Sequence, residues 1–385
     1  MGRKVKKEVK RLYFDYSLLF VTIFLAAFGI VMIYSTSSYT AQMNYGSSEY
    51  YFYKQLQYTL MGFVVMYIAY KIDYHVWKKL WKPILAIGVI LMFALIPFGT
   101  TVNGAKRWIR FLGIGVQPAD VVKVVVIIVT SVMICALGKN MRKFKYVLLV
   151  IFATGVTFAG LVFVISNNLS SAIIIFLIPC VMTFVAYPGY MIYGVLAGVS
   201  AVAGVFGYNI LTQIAHTAES TGDFRFRRLL VWLNPENYAS GTGYQTVQAL
   251  YAIGSGGLFG KGLGKSLQKL GFIPESQNDM IFTIICEELG LFGAICLILL
   301  FILLIWRMMV IANNARDLYG SLLVIGVMSH IAIQVILNIA VVTNSLPNTG
   351  VILPFISYGG TSIIFLMAEI GLVLSVSRGI RLENV

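Results

Sequence analysis

Fifteen acidic residues occur in this chain, and only Asp120, Asp279, Glu287, Glu288 and Glu369 fall in or at the mouth of a long apolar run. An ionisable group in such a run is costly to bury and is a functional suspect by default. Asp279 follows Pro274-Glu275-Ser276-Gln277-Asn278 and precedes the apolar stretch Met280 to Ile285, so it stands where a polar loop becomes a helix. Two roles fit that place: an N-cap or first-turn carboxylate favoured by the helix dipole, and a base at the boundary between membrane and water. Glu287 and Glu288 lie eight residues on, roughly 12 Å deeper at ~1.5 Å per residue. Cations crowd a second place, where Lys106, Arg107 and Arg110 surround Trp108 in Asn103-Gly104-Ala105-Lys106-Arg107-Trp108-Ile109-Arg110. Gln117-Pro118-Ala119-Asp120 then opens a helix with Pro in its first turn, and Asp120 with Lys123 makes an i,i+3 pair on one face. Snorkelling to headgroups accounts for such cations; so does a cationic pocket for a lipid diphosphate.

A third cluster is glycine. Gly254, Gly256, Gly257, Gly260, Gly262 and Gly264 fall within eleven residues, and Gly264-Lys265-Ser266 matches the end of a P-loop. The match fails at its start, where Phe259 occupies the position a P-loop gives to Gly, and no G-x-G-x-x-G is present. Tight turns with close backbone approaches, or a backbone nest for diphosphate, remain. Cys135, Cys180, Cys286 and Cys296 sit in apolar stretches without metal-ligand spacing and read as small buried hydrophobes. His216 reads as a loop residue and His330 as a hydrogen-bonded packing residue; no zinc-type cluster and no Ser/His/Asp arrangement is present.

The elements that must hold these groups are set by composition. The 385 residues are 59% hydrophobic and 11% charged, against roughly 25% charged in soluble domains, and mean hydropathy is +0.85. That excludes a disordered chain, a nucleic-acid-binding domain and a disulfide-stapled secreted module, and places the chain in a bilayer. Apolar runs of span length at 15–35, 54–71, 83–99, 119–137, 146–166, 169–187, 190–211, 279–306, 318–343 and 354–377 predict an all-α integral membrane protein with ten transmembrane helices. Ser166, Asn167 and Asn168 must form a turn, because the apolar stretch across them is too long for one span. Net charge is +14, and 18 of the 29 Lys and Arg fall in alternate gaps, which puts both termini in the cytoplasm. The whole chain, 1–385, reads as one polytopic membrane domain with a basic cytoplasmic tail at 1–14, a retained first helix and one large extracytoplasmic loop at 212–278 between helices seven and eight. Arg3 to Arg11 read as contacts to anionic membrane lipid.

Long motifs in order give the chain a family resemblance from end to end: Asn103 to Trp108 with Gln117-Pro118, Gly241-Thr242-Gly243-Tyr244-Gln245, Ala252-Ile253-Gly254-Ser255-Gly256-Gly257, Gly262-Leu263-Gly264 and Glu287-Glu288-Leu289-Gly290, then Leu346-Pro347-Asn348-Thr349-Gly350 and Leu353-Pro354-Phe355-Ile356-Ser357-Tyr358-Gly359-Gly360. It resembles the SEDS family (shape, elongation, division and sporulation) and within it looks most similar to the FtsW branch, with RodA and SpoVE as relatives. The resemblance implies ten membrane helices in the bacterial cytoplasmic (inner) membrane and a peptidoglycan glycosyltransferase that polymerises lipid II into β-1,4-linked glycan during cell division. It implies a class B penicillin-binding transpeptidase and other divisome or elongasome proteins as partners, with no nucleic acid. The family's essential acid falls on Asp279. The chain departs from the family at Gln277-Asn278 in place of His-Thr, at Asp120 in place of Glu, and at Asn168 in place of Asp, so Asn168 carries no acid/base role.

On this basis Asp279 deprotonates the GlcNAc 4-hydroxyl of the acceptor, and Lys106, Arg107, Arg110 and Lys123 stabilise the undecaprenyl diphosphate that leaves; Trp108, Gln117 and Asp120 complete the expected binding residues. A divalent cation, Mg or Mn, would assist the diphosphate, but Asp279 with help from Glu275 specifies no site for one. A lipid II flippase is the rival activity and would line a path through the membrane with cations; a non-enzymatic scaffold is a third role, and the elongation or sporulation member of the same polymerase family a fourth.

Overall fold

The computed structural model describes residues 14–102, 105–111, 114–189, 194, 224–241 and 243–380. The expected basic tail, the expected seventh span at 190–211, the start of the expected loop with His216, and Asn103 lie outside the described residues. Helices follow in the order α1 (Tyr16–Tyr45), α2 (Tyr50–Lys71), α3 (Tyr74–Lys79) and α4 (Trp81–Phe98). Strands β1 (Gly99–Val102), β2 (Ala105–Phe111) and β3 (Ile114–Val116) come next, then α5 (Pro118–Leu137), α6 (Phe144–Val150), α7 (Thr157–Ser166) and α8 (Leu169–Ala186). The chain continues with α9 (Phe224–Leu233), α10 (Tyr244–Ser255), α11 (Ile281–Asn313), α12 (Leu318–Val342) and α13 (Ser362–Ser377). Seven helices among the described residues are long and apolar enough to cross a membrane: α1, α4, α5, α6 with α7 joined by a π-helical turn at Ile151–Val156, α8, α11 and α12. α12 is the central one, 72% buried over its most apolar window against 17% for α4. It packs on α5, α8, α11 and α13, while α2 lies along α13.

Several boundaries differ from the sequence expectation for physical reasons. α1 runs to Tyr45, ten residues past the expected end at 35, because Ser35, Thr36 and Ser37 are buried against neighbours and two of them turn their hydroxyls onto the Ile33 carbonyl. The last helix begins at Ser362, not 354. Pro354 and a left-handed Phe355 (φ 64°) keep the preceding segment irregular, and α12 satisfies its backbone: Gln334 donates to the Ile352 carbonyl (3.0 Å) and Asn338 to the Val351 carbonyl (2.7 Å). The turn at 166–168 forms as expected, with Asn167 left-handed (φ 53°) and Asn168 capping α8 through the Ser171 N–H (3.1 Å). The all-α expectation fails at 99–116, where the cation-rich gap is a three-stranded antiparallel sheet. Its β-branched and aromatic residues suit strands.

The largest correction concerns the expected eighth span. α11 is two helices that meet at Gly290, whose φ 69° and ψ −169° are not helical. Such a break strands backbone groups of both halves, and the glycine-rich segment takes them up. Lys261 and Gly262 donate their N–H to the carbonyls of Glu287 and Glu288 (both 2.9 Å), while Leu291 and Phe292 donate to the carbonyls of Gly257 (2.9 Å) and Leu258 (3.0 Å). A Cβ at Gly260 would overlap the Glu288 carbonyl, so the backbones touch only because residue 260 has none. Close backbone approach explains Gly256 and Gly260, while Gly257, Gly262 and Gly264 take the positive φ of tight turns. Side chains brace the same junction. Glu287 pairs with Lys261 (2.6 Å) and takes the Ser266 hydroxyl; Glu288 pairs with Lys269 (2.8 Å) and takes the Ser35 hydroxyl of α1 (2.8 Å). Both carboxylates are fully buried.

Removing one partner of a buried pair strands the other charge. Lys269→Met should therefore cost about 3–5 kcal/mol of stability. Lys261→Met should cost less, because the Lys261 side chain is 32% exposed and water already screens that pair. Thermal unfolding of both variants in detergent checks this, and equal losses would count against the brace.

Candidate functional site

Asp279 precedes α11 rather than capping it. The N-cap is Met280, which makes no side-chain cap bond, so the capping role fails and the carboxylate is left for other work. Its main chain is held from α12, where the Asn338 amide donates to the Asp279 carbonyl (2.8 Å) as well as to Val351. On its amino-terminal side Gln277 is buried, its carbonyl accepts the Tyr358 N–H (2.9 Å), and the Ser276 hydroxyl donates to the Thr36 carbonyl of α1 (3.3 Å). The half-helix that follows ends at the brace. Asp279 is thus anchored on both sides and is partly buried.

The five acids singled out in sequence now separate. Asp120 pairs with Lys123 (2.9 Å), Glu287 with Lys261, Glu288 with Lys269, and Glu369 with His330 (2.8 Å). Asp279 has no ion-pair partner among the described residues. Its carboxyl accepts a hydrogen bond from its own backbone N–H, but burial pushes its pKa up to about 6, with Glu275 adding to the rise and Arg228 opposing it. Glu275 itself is left-handed (φ 56°) and accepts from the Asn278 amide.

Around Asp279 stand two loops and two short helices. Gly350 (φ 71°) passes so near that a Cβ there would lie 3.7 Å from Asp279 Oδ2. The 344–350 loop holds α9 reciprocally: Trp232 Nε1 donates to the Asn344 carbonyl (3.1 Å) and the Asn344 amide to the Trp232 carbonyl (3.2 Å). Gln245 of α10 bridges the Pro274 carbonyl and the Asn348 amide (both 3.1 Å). Arg228 of α9 donates from Nη1 to the Asn348 carbonyl (3.1 Å). Sequence reasoning did not single out Arg228 or Asn338. Their signals were faint: one Arg among several, and one Asn in a long apolar run.

The expected cationic set divides. Arg107 is the residue skipped in the β1–β2 register, between Thr100 opposite Trp108 and Thr101 opposite Lys106. A bulge of this kind re-aims a side chain, and Arg107 reaches the Asn167 carbonyl from Nη2 (3.4 Å). Lys106 and Arg110 are exposed, with Lys106 Nζ on the Ile96 carbonyl (3.2 Å). Trp108 is half-buried beside Gly115, and Gln117 stands at the α5 N-cap without a side-chain cap bond. Asp120 and Lys123 are buried together, and Asp120 Oδ2 is left without a partner. Among the described residues no three His, Cys, Asp or Glu side chains gather to hold a metal, and Glu275, the expected helper of Asp279, is engaged by Asn278.

Comparison with known proteins gives the fold and the motifs a context. Residues 16–382 match the family model of FtsW, RodA and SpoVE, described as cell cycle protein. The chain is 35% identical over 368 residues to Stage V sporulation protein E of Bacillus subtilis, covering 94% of this chain and 97% of that one. It is 34% identical over 380 residues to a probable peptidoglycan glycosyltransferase FtsW of Trichlorobacter lovleyi, covering 98% and 97%. Among solved structures it is similar to a chain of a peptidoglycan synthase complex that coordinates polymerization and crosslinking, with a TM-score of 0.75 at 23% identity over 95% of this chain and 98% of that one. The rod shape determining protein RodA of Thermus thermophilus gives 0.63 at 22% identity over 95% and 97%.

Because Asn338 serves two carbonyls, Asn338→Leu should lose about 2 kcal/mol or more, read as a lower unfolding temperature in detergent. A variant as stable as the parent would remove this anchor from the site.

Proposed function

This chain belongs to the FtsW, RodA and SpoVE family of cell cycle proteins, and on that premise we propose that it is a peptidoglycan glycosyltransferase whose base is Asp279. One observation carries the assignment: of the five acids in or beside apolar helices, Asp279 alone is bound by no other residue's side chain through a hydrogen bond or ion pair among the described residues. A carboxylate titrating near 6 is a stronger base than an ordinary Asp and is still largely ionised at neutral pH.

The substrate proposed is lipid II on both sides of the reaction. The acceptor GlcNAc 4-hydroxyl gives its proton to Asp279 while its oxygen attacks C1 of the donor MurNAc. The C1–O bond breaks on the opposite face, its electron pair leaves with undecaprenyl diphosphate, and inversion yields the β-1,4 link. The leaving group departs as an anion, so cations suffice where another reaction would need an acid. Arg107, placed by its bulge at the Asn167 turn, is the expected cation best positioned for this. The buried Asp120–Lys123 pair, with Trp108 and Gln117 nearby in sequence, would line the approach of the lipid.

The membrane arrangement proposed is ten helices in the bacterial cytoplasmic membrane, both termini cytoplasmic, with 212–278 and Asp279 facing outward. The alternation of Lys and Arg supports it. A class B penicillin-binding transpeptidase is the proposed partner, in keeping with a solved relative that belongs to a synthase complex coupling polymerization to crosslinking. A role in cell division follows the FtsW-named relatives.

Asp279→Asn should lower lipid II polymerisation by about 10²-fold or more in a preparation that contains the transpeptidase and unfolds at the parental temperature; undiminished polymer would dismiss Asp279 as the base. The active form is the carboxylate, so rate should fall as pH drops through about 6. Glu275→Gln removes a neighbouring negative charge and should move that acidic limb to lower pH. A pH–rate profile from 5 to 8 checks both shifts.

A further inference from the structure

α9 is fastened to the 344–350 loop by the reciprocal Trp232–Asn344 bonds, and Arg228 stands four residues before Trp232, one turn away on the same face. That geometry delivers its guanidinium to the Asn348 carbonyl (3.1 Å). Arg107 reaches the Asn167 carbonyl from the other side (3.4 Å). The two carbonyls belong to segments that touch, because the Ser170 hydroxyl hydrogen-bonds the Thr349 carbonyl. Two guanidiniums from elements more than a hundred residues apart are thereby held across one junction.

Like charges kept together repel, and each of these is partly withdrawn from water. Burial lowers the pKa of both, and Arg107 lowers that of Arg228 further, while Asp279 works the other way. Both stay charged, because guanidinium does not lose its proton in proteins. Arg107 Nε is buried without a partner. Paired guanidiniums beside a reacting acid are relieved by a ligand with two negative groups, each accepting a planar fork of N–H donors. Gly350, between this junction and Asp279, has no side chain to block the space.

We propose that Arg107 and Arg228 form a clamp for the diphosphate of the lipid-linked donor, one guanidinium to each phosphate. This rests on the glycosyltransferase reading and replaces the expected partners Lys106 and Arg110 with a residue of α9. As the C1–O bond breaks, the electron pair comes to rest on the phosphate oxygens between the two cations, while the acceptor's proton goes to Asp279 on the other side of C1. The outer segment then has a chemical role: α9 brings the second half of the leaving-group site.

The test uses the full chain in detergent with farnesyl diphosphate and farnesyl monophosphate as probes, titrated calorimetrically beside a lipid II polymerisation assay that contains the transpeptidase. Arg228→Gln and Arg107→Gln should each weaken diphosphate binding about tenfold or more, with much smaller effects on the monophosphate, which fills a single fork. Arg228→Lys keeps the charge without the fork and should fall between; Lys265→Gln, an exposed cation elsewhere, should bind like the parent. Each variant is compared at an unchanged unfolding temperature. Parental diphosphate affinity in Arg228→Gln, or equal affinity of the parent for both probes, would overturn the clamp. Arginine-dependent diphosphate binding without any polymer from the parent would instead leave the clamp standing and sink the glycosyltransferase reading.

Discussion

A helix cannot be broken among apolar neighbours unless other groups satisfy its freed N–H and carbonyl groups, and the break at Gly290 is the constraint on which the site depends. The glycine-rich segment answers it with four backbone hydrogen bonds, and Lys261 and Lys269 answer the two carboxylates at the same place. Ser35 ties in α1. With its far end held this way, the half-helix from Ile281 has little freedom, and Asp279 lies just before its start. The segment that follows α10 is bound to α11 by these contacts, while α9 is held separately by the 344–350 loop.

Charge is distributed by the same economy. Inside the helical bundle, carboxylates are matched: Asp15 with Arg307 (2.6 Å), Asp120 with Lys123, Glu369 with His330. Buried pairs of this sort bring little net stability, yet losing one partner is severe, so they favour a single arrangement of helices. His330 is a packing residue of this kind, as its place in an apolar helix suggested. Asp279 departs from the pattern. It feels the charge of Arg228 without an ion pair at contact distance, which suits a proton acceptor better than a structural charge.

Much of the fold was legible in the chain. Long apolar runs separated by polar gaps correspond to helices at every expected span that falls within the described residues, and the 166–168 turn was visible as two consecutive Asn within an apolar stretch. Boundaries were less legible where polar side chains hydrogen-bond inward. Ser35 to Ser37 look like a loop by composition, yet their hydroxyls bond within α1 or across to α11. The sheet at 99–116 is masked by its cations, although its strand-forming residues flank an Asn-Gly pair, a strong hairpin signal. The kink at Gly290 was hidden because a hydrophobic run has the same composition whether its helix is continuous or broken.

Residue type and order determined that this chain is a helical membrane protein, which family it belongs to, and that Asp279 was a leading chemical candidate among five acids. Those properties are local: hydropathy, charge alternation and motif spacing are carried by neighbouring residues. Tertiary structure decided which carboxylates are spent on ion pairs, which cation of the 106–110 cluster turns inward, and that Arg228 stands beside Arg107. Such facts depend on contacts between segments up to 253 residues apart, as between Ser35 and Glu288. No window of sequence contains both partners, so their chemistry exists only once the chain has folded.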